Sequence, residues 1–478
     1  MLLAAFCFWS GSCAVPLGAG YTIEKQEARV QLVTAPEPRI RIEADYQLKN
    51  TGNRPLHELE MRLPGRRFSS NELRASWDAA ALAVEKSPAN PRNTLVTLRE
   101  PWRPSSRHTL HLSTEFSPAK EGETTLSFSK DAFFLPAAGW SAQLLPPGGL
   151  FATGGVPPQR WNLLVTVPEG FQIHTSGVPT KSRQKGREFT VLAVQGKEDP
   201  YPFVIAGRYS TAEIGKGTER LHLWTSKQQE PAGLQEVSDA LIRVIAAYDA
   251  AFGERSKDSS ETWIVECPVG AGCFTNLNPL TAKLLGEDEN EPTTAEMISH
   301  DTIVVNFSGG TPKLAAAAAP SLAASWLGYA QNPGFYEQKP PLSLFPAFAA
   351  ALGRDAAQGT ESREETIRRA LRLIPTNGKP HEEDDPAVLR VKSFLFFYAL
   401  QDRYGQEAFR KATQYMLYAR RERGFELSDL IAAFERETHQ NVAEFVRFWM
   451  KRPGVPEEFR ARYEGTAAAA DPKKETRP

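Results

Sequence analysis

Nowhere in these 478 residues do about 20 apolar side chains follow one another, the length a helix needs to cross a bilayer, so no integral membrane span is expected. An excess of charge is missing too. Lys and Arg number 56 against 57 Asp and Glu, and a net charge of −1 sets up no long-range field toward nucleic acid, an anionic bilayer or acidic substrates. Four cysteines are too few for a disulfide framework in a chain of this size. No two of the eight histidines (His57, His108, His111, His174, His222, His300, His381 and His439) stand four apart, which excludes a metal site built on a helical histidine pair. No Gly-x-Ser-x-Gly elbow occurs, and no phosphate-cradling glycine loop with a lysine follows a strand.

What is present is ordinary globular material, 41% hydrophobic and 24% charged, and enough of it for two or three domains. Residues 1–14 carry an apolar run from Leu2 to Trp9 and then small residues ending Ser12-Cys13-Ala14, the look of a signal peptide's core and cleavage site without the basic segment that precedes one. This implies export to the periplasm or the extracellular space, and Cys7 and Cys13 leave with the leader. Cys267 and Cys273 flank Pro-Val-Gly-Ala-Gly, a turn compatible with one bridge in an oxidising compartment and equally with two free buried thiols.

The apolar period changes once. From Tyr21 to about Trp224, short or alternating runs such as Ile40-Arg-Ile42, Leu110-His-Leu112 and Trp161 to Val167 are punctuated by turn signals at Asn50 to Asn53, Pro168 to Gly170 and Lys185-Gly186. They predict an N-terminal antiparallel β-sandwich over 21–214. His108 and His111 fall on one of its strands, where a spacing of three points one to solvent and the other to the core. From Pro231 the spacing turns helical: Leu234, Val237, Leu241, Val244, Ile245 and Tyr248 share one face of a helix that stops at Gly253. Two strands follow, Thr262 to Glu266 and Thr302 to Asn306, and then further helices to about Phe459. The aromatic run Phe394 to Tyr398 and the cluster from Phe434 to Met450 read as core. The segment 463–478 has too little apolar content to order itself. Acidic runs at Glu287 to Glu291 and Glu382 to Asp385 lack calcium-loop spacing and read as solvated loops.

This order of parts, with Trp-Asn-Leu-Leu-Val-Thr-Val-Pro-Glu-Gly at 161–170, Pro-Phe-Val-Ile-Ala-Gly at 202–207 and a strand ending near Val265-Glu266, resembles the gluzincin aminopeptidases, the family of membrane alanyl aminopeptidase and leukotriene A4 hydrolase. The likeness runs from about Tyr21 to Pro456. It implies a multidomain α+β protein, the sandwich followed by a thermolysin-like, mainly helical peptidase-type domain over 215–462.

The resemblance also says where the chemistry would sit. A zinc peptidase of this kind needs His-Glu-x-x-His on a helix, and the matching frame is Pro-Ser-Leu-Ala-Ala-Ser-Trp-Leu-Gly from Pro320 to Gly328. Pro320 and Ala324 stand at the ligand positions and Ser321 at that of the general base. The helix that donates the third ligand matches Leu344 to Ala349, with Pro346 at the Glu position. The Gly-x-Met-Glu-Asn strand matches Gly272 to Asn276, with Thr275 replacing the Glu that holds a substrate's amino group and Asn276 kept. The Tyr-x-Lys-Gly stretch matches Arg390 to Ser393, with Arg390 replacing the Tyr and Lys392 in step. Pro and Ala offer a cation no lone pair, and a hydroxyl cannot pair with an ammonium as a carboxylate does.

Metal-touching positions are thus degenerate while the frame persists, with Trp326 packing the helix and Gly328 allowing close approach. Pro320, lacking an amide proton for Ala316, would kink the helix or mark its first turn. The expectation is a protein with no catalytic residues, no metal and no cofactor: a pseudo-peptidase binding or scaffolding a peptide or protein in the interdomain cleft, with Asn276, Trp326 and Lys392 among the lining residues. Two alternatives stay open, an active zinc metallopeptidase whose ligands lie elsewhere and a non-metal hydrolase.

Overall fold

The computed structural model describes residues 20–34, 36–62, 73–88, 90–91, 93–116, 127–128, 131–136, 140–147, 155–186, 188–195, 202–216, 219–225, 231–254, 261–267, 279–286, 295–297, 299, 301–305, 311–327, 339–359, 361–374, 386–419 and 426–464. The expected leader at 1–14 and Cys273, Thr275, Asn276, His300, Gly328, His381 and both acidic runs lie outside them. The chain divides into two compact units: Met1–Ser210 with Trp224–Gln228 and Glu266–Cys273, and Thr211–Leu223 with Gln229–Val265 and Phe274–Pro478. A β-rich region is followed by a mainly helical one.

The strands of the first region are β1 (Tyr21–Val33), β2 (Arg39–Asn50), β3 (Leu56–Arg62), β4 (Arg74–Trp77), β5 (Ala80–Leu82), β6 (Val84–Lys86), β7 (Asn93–Trp102), β8 (Arg107–Phe116), β9 (Ser127–Phe128), β10 (Ala132–Leu135), β11 (Gln143–Leu144), β12 (Trp161–Pro168), β13 (Gln172–Thr175), β14 (Val178–Lys185), β15 (Glu188–Val194) and β16 (Val204–Gly207). Eight of them form one sheet in the order β14-β15-β12-β1-β2-β8-β4-β5, and two four-stranded sheets run β13-β16-β10-β9 and β11-β3-β7-β6. Period-2 patterning sets the inner face of the large sheet. On β2, Ile40, Ile42, Ala44, Tyr46 and Leu48 are all buried. One end of that face joins Phe133, Leu135, Val204 and Ala206 of the first small sheet in a core, and the other joins Leu59, Met61, Val96 and Leu98 of the second. One pairing departs from the expected antiparallel pattern: β1 and β12 run parallel, Val30 opposite Val165, so that both present their apolar residues to one core.

The two histidines take opposite faces of β8 as expected, but the core-side one is not fully buried. His108 and His111 are both half-buried and each bonds an aspartate, His108 with Asp78 at 2.5 Å and His111 with Asp45 at 2.7 Å. His108 has the parity of buried Leu110 and Leu112 but sits near the strand end, stacked on Trp77.

The second region begins with β17 (Ser210–Lys216) and β18 (Glu219–Thr225), then α1 (Pro231–Phe252), β19 (Glu261–Glu266), α2 (Pro279–Leu285), β20 (Ala295–Met297), β21 (Thr302–Val305) and α3 (Thr311–Leu327). After one 3-10 turn come α4 (Phe345–Gln358), α5 (Glu361–Arg372), α6 (Pro386–Tyr404), α7 (Gln406–Ala419), α8 (Leu427–Thr438), α9 (Val442–Lys451) and α10 (Glu457–Glu464). Where two strands were expected there is a five-stranded sheet, β17-β18-β19-β21-β20. Gly253 ends α1 with φ at +84°, a conformation that asks for glycine, and an expected boundary at residue 214 falls inside β17. The helix Glu457–Glu464 takes in the first two residues of the expected tail, 463 and 464, because Tyr463 is buried and its hydroxyl reaches Asp402 at 2.5 Å. No helix among the described residues is long and apolar enough to cross a membrane, which says nothing of strands.

Candidate functional site

α3 carries the frame singled out in the sequence. It neither begins nor breaks at Pro320; the helix runs through it, with the bond from residue 320 to Ala316 forgone. Alanine allows this because the turns on either side sit in tight packing. Ala315, Ala318, Ala319, Leu322 and Ala323 are buried in the core shared with α1 and α4. From α1, the Tyr248 hydroxyl donates to the Ala319 carbonyl at 2.7 Å, one residue before Pro320. From α4, Gly353 makes room for that phenol: a Cβ built there would lie 2.0 Å from the Tyr248 oxygen and 2.9 Å from the Ala319 Cβ.

Ser321 is buried and Pro320 half-buried; Ala324 lies on α3, its side chain outside the described set. Trp326 is buried, and its indole N–H reaches Asp249 Oδ1 and the Gly253 carbonyl, both at 3.2 Å. That ties the end of α3 to the end of α1, the packing duty expected of it. Pro346 is in the first turn of α4, where no amide proton is needed. Proline and alanine side chains offer no donor atoms, and the Ser321 hydroxyl is a poor substitute for a general base, so the residues standing in this frame do not fit a zinc ion. Among the described residues no group of three or more His, Cys, Asp or Glu is placed to hold a metal.

Arg390 and Lys392, two apart on α6, part ways. Arg390 is exposed. Lys392 is fully buried, and its ammonium donates to the carbonyls of Met450 and Arg452 at the end of α9, while the Trp449 indole donates to the Lys392 carbonyl at 3.1 Å. A lysine completing the C-terminal carbonyls of a neighbouring helix is occupied structurally.

A buried polar knot on α4 escaped the sequence reading. Asp355 accepts from Thr366 Oγ1 at 2.9 Å and from the Tyr398 hydroxyl at 3.5 Å. Burial, and after it the Asp355 charge, pushes the Tyr248 and Tyr398 phenols well above their ordinary range, so both remain protonated donors. A signal was available: Asp355 follows Phe345 and Phe348 at helical spacing, on a face that is otherwise apolar. Beside it Arg363 pairs with Asp402 at 2.9 Å and lies 5.3 Å from the centre of the Tyr398 ring. These groups bond one another and hold α4, α5, α6 and α10 together.

No protein-family model matches the chain. No curated protein does either. Among solved structures it is similar to an M1 zinc metallopeptidase from Deinococcus radiodurans, 16% identical, with 90% of this chain and 94% of that one covered at a TM-score of 0.49. A mutant of that metallopeptidase bound to a Tyr-Ser-Ala substrate is likewise 16% identical, with 91% and 95% covered and a TM-score of 0.49. A two-domain M1 zinc metallopeptidase mutant bound to L-arginine is 17% identical, with 91% and 95% covered, again at 0.49.

Proposed function

We propose that this chain is a catalytically inactive, peptidase-like protein that binds or scaffolds a peptide or protein in the cell envelope. One observation carries the reading: on the helix whose frame matches a zinc helix, the ligand positions hold Pro320 and Ala324, which carry no donor atoms, while Ala315, Ala318, Ala319, Leu322 and Ala323 pack against α1 and α4 and Tyr248 bonds the backbone. A hydrated metal pocket needs the opposite, an open position flanked by nitrogen or carboxylate donors. The burial of Lys392 under α9 fits the same account, since a lysine spent on helix carbonyls does not meet a substrate. Export is supported by the apolar leader and by Cys267, which is disulfide-bonded, a state that persists in oxidising compartments.

The test is metal analysis joined to a peptidase assay on the full chain. Purified protein is expected to show no aminoacyl-nitroanilide hydrolysis that a chelator abolishes. One zinc per chain together with chelator-sensitive hydrolysis would establish an active metallopeptidase and end this reading.

A further inference from the structure

The outer face of the eight-stranded sheet holds a concavity of about 510 Å³, and its rim is β14. Seven of its lining residues are charged, five of them cations: Arg29, Arg41, Lys181, Arg183 and Lys185 against Glu43 and Glu188. Two of the cations are neutralised on the sheet. Arg29 lies 3.7 Å from Glu43 and 3.8 Å from Asp45, and Arg41 lies 3.2 Å from Glu115. Glu188 accepts from Gln31 at 3.3 Å. Lys181, Arg183 and Lys185 make no ion pair among the described residues. They stand at alternate positions of β14, opposite Leu192, Thr190 and Glu188 of β15, so all three share the concave face.

β14 is unusual in a second way. Every one of its eight residues is exposed, and it ends the sheet, paired with β15 on one side only. A bulge at Thr180 interrupts the ladder between Pro179 and Lys181, and from Lys181 to Lys185 the pairing is regular. Five consecutive residues therefore offer an outward edge of backbone donors and acceptors beside three unmatched cations.

We propose that the Lys181–Lys185 edge takes up an extended acidic peptide segment as a ninth strand, with Asp or Glu at every second position. Two strand residues advance roughly 6.6–6.8 Å, so alternate carboxylates on an added strand come into step with alternate cations on β14. The free backbone edge selects a polypeptide, since only another strand uses it fully. No aromatic ring among the described residues lines the concavity, so nucleobases would find no stacking platform there. A second copy of β14 is disfavoured because it would set cation against cation. The proposal goes beyond the inactive-peptidase reading and does not depend on it: zinc-dependent hydrolysis would end that reading and leave this one standing.

Fluorescence anisotropy with the full chain and a labelled, end-blocked peptide, Thr-Glu-Val-Glu-Val-Glu-Thr, tests it. Saturable binding is expected, weakened about tenfold or more by combined Lys181→Glu, Arg183→Glu and Lys185→Glu and unchanged by Lys451→Glu on α9. N-methylation of alternate peptide amides, which blocks strand pairing and keeps the charge, is expected to weaken binding by a similar factor. Circular dichroism checks that the triple variant is folded. No binding by the peptide, equal binding by the triple variant, or equal binding of the N-methylated peptide would overturn the proposal. So would inorganic polyphosphate that competes fully for the same cations, which would make the concavity a general anion site, or self-association lost in the triple variant, which would make a second copy the occupant.

Discussion

The β-rich and helical regions place their polar groups in opposite ways. In the large sheet, strand alternation puts apolar residues on one face and sends charge to the other, where Glu24 meets Arg107, Glu115 meets Arg39 and Arg41, and Lys181, Arg183 and Lys185 make no ion pair among the described residues. In the helical region two ionisable side chains are drawn inward and occupied, Lys392 on helix carbonyls and Asp355 on Thr366 and Tyr398. Lys392, at a position where chemistry was sought, thus holds structure together, while three cations without an ion pair among the described residues lie on a sheet edge.

The sharpest way to break that contrast is Lys392→Ala. It strands two helix carbonyls and opens a cavity, and should cost roughly 3 kcal/mol or more in denaturant unfolding; a cost near zero would free Lys392 from its structural role. Next is Gly353→Ala. Glycine to alanine in an exposed helix interior stabilises by about 1 kcal/mol, but here the added methyl meets the Tyr248 phenol and the sign should reverse, to a loss of roughly 1–3 kcal/mol.

Acid should unsettle the β-rich region through its surface carboxylates. The hydrogen bond from Arg107 holds Glu24 below its ordinary range, those from Arg39 and Arg41 do the same for Glu115, and at Asp78 burial pushes upward but is outweighed by the bonds with His108 and the Thr109 backbone N–H together. Folded values below unfolded ones mean stabilisation that is present above the unfolded carboxylate values of about 4 and lost as pH falls through the folded values, so the melting temperature should drop below about pH 4. An Arg107→Ala variant should show a shallower acid decline, and an unchanged one would remove that pair from the account. Smallest of all, the β14 triple variant should alter stability by no more than about 0.5 kcal/mol, since its side chains are exposed and unpaired.

Much of the fold was legible because burial imposes a period. Alternation in Ile40-Arg-Ile42 marked the start of β2, and helical spacing from Val237 to Tyr248 with a glycine beyond marked α1. The parallel pairing of β1 with β12 was not legible, because nothing local to either strand says which way a partner more than a hundred residues away will run. At the candidate site, that Pro320, Ala324 and Pro346 carry no donor atoms in their side chains could be read directly. The fate of Lys392 could not: its place in step with a Tyr-x-Lys-Gly pattern carries no sign of the helix end that buries it.

By itself the sequence determined which atoms exist to do chemistry, and Pro320, Ala324 and Pro346 supply none that binds a metal; it also set the faces of strands and helices, because side-chain period follows from backbone geometry. Tertiary structure alone decided which polar groups are occupied and which stand open. A net charge of −1 conceals three aligned cations, since charges cancel in a sum over the chain but act in space, and only the folding of β14 onto β15 sets the shared face of Lys181, Arg183 and Lys185 over the concavity at the end of the sheet.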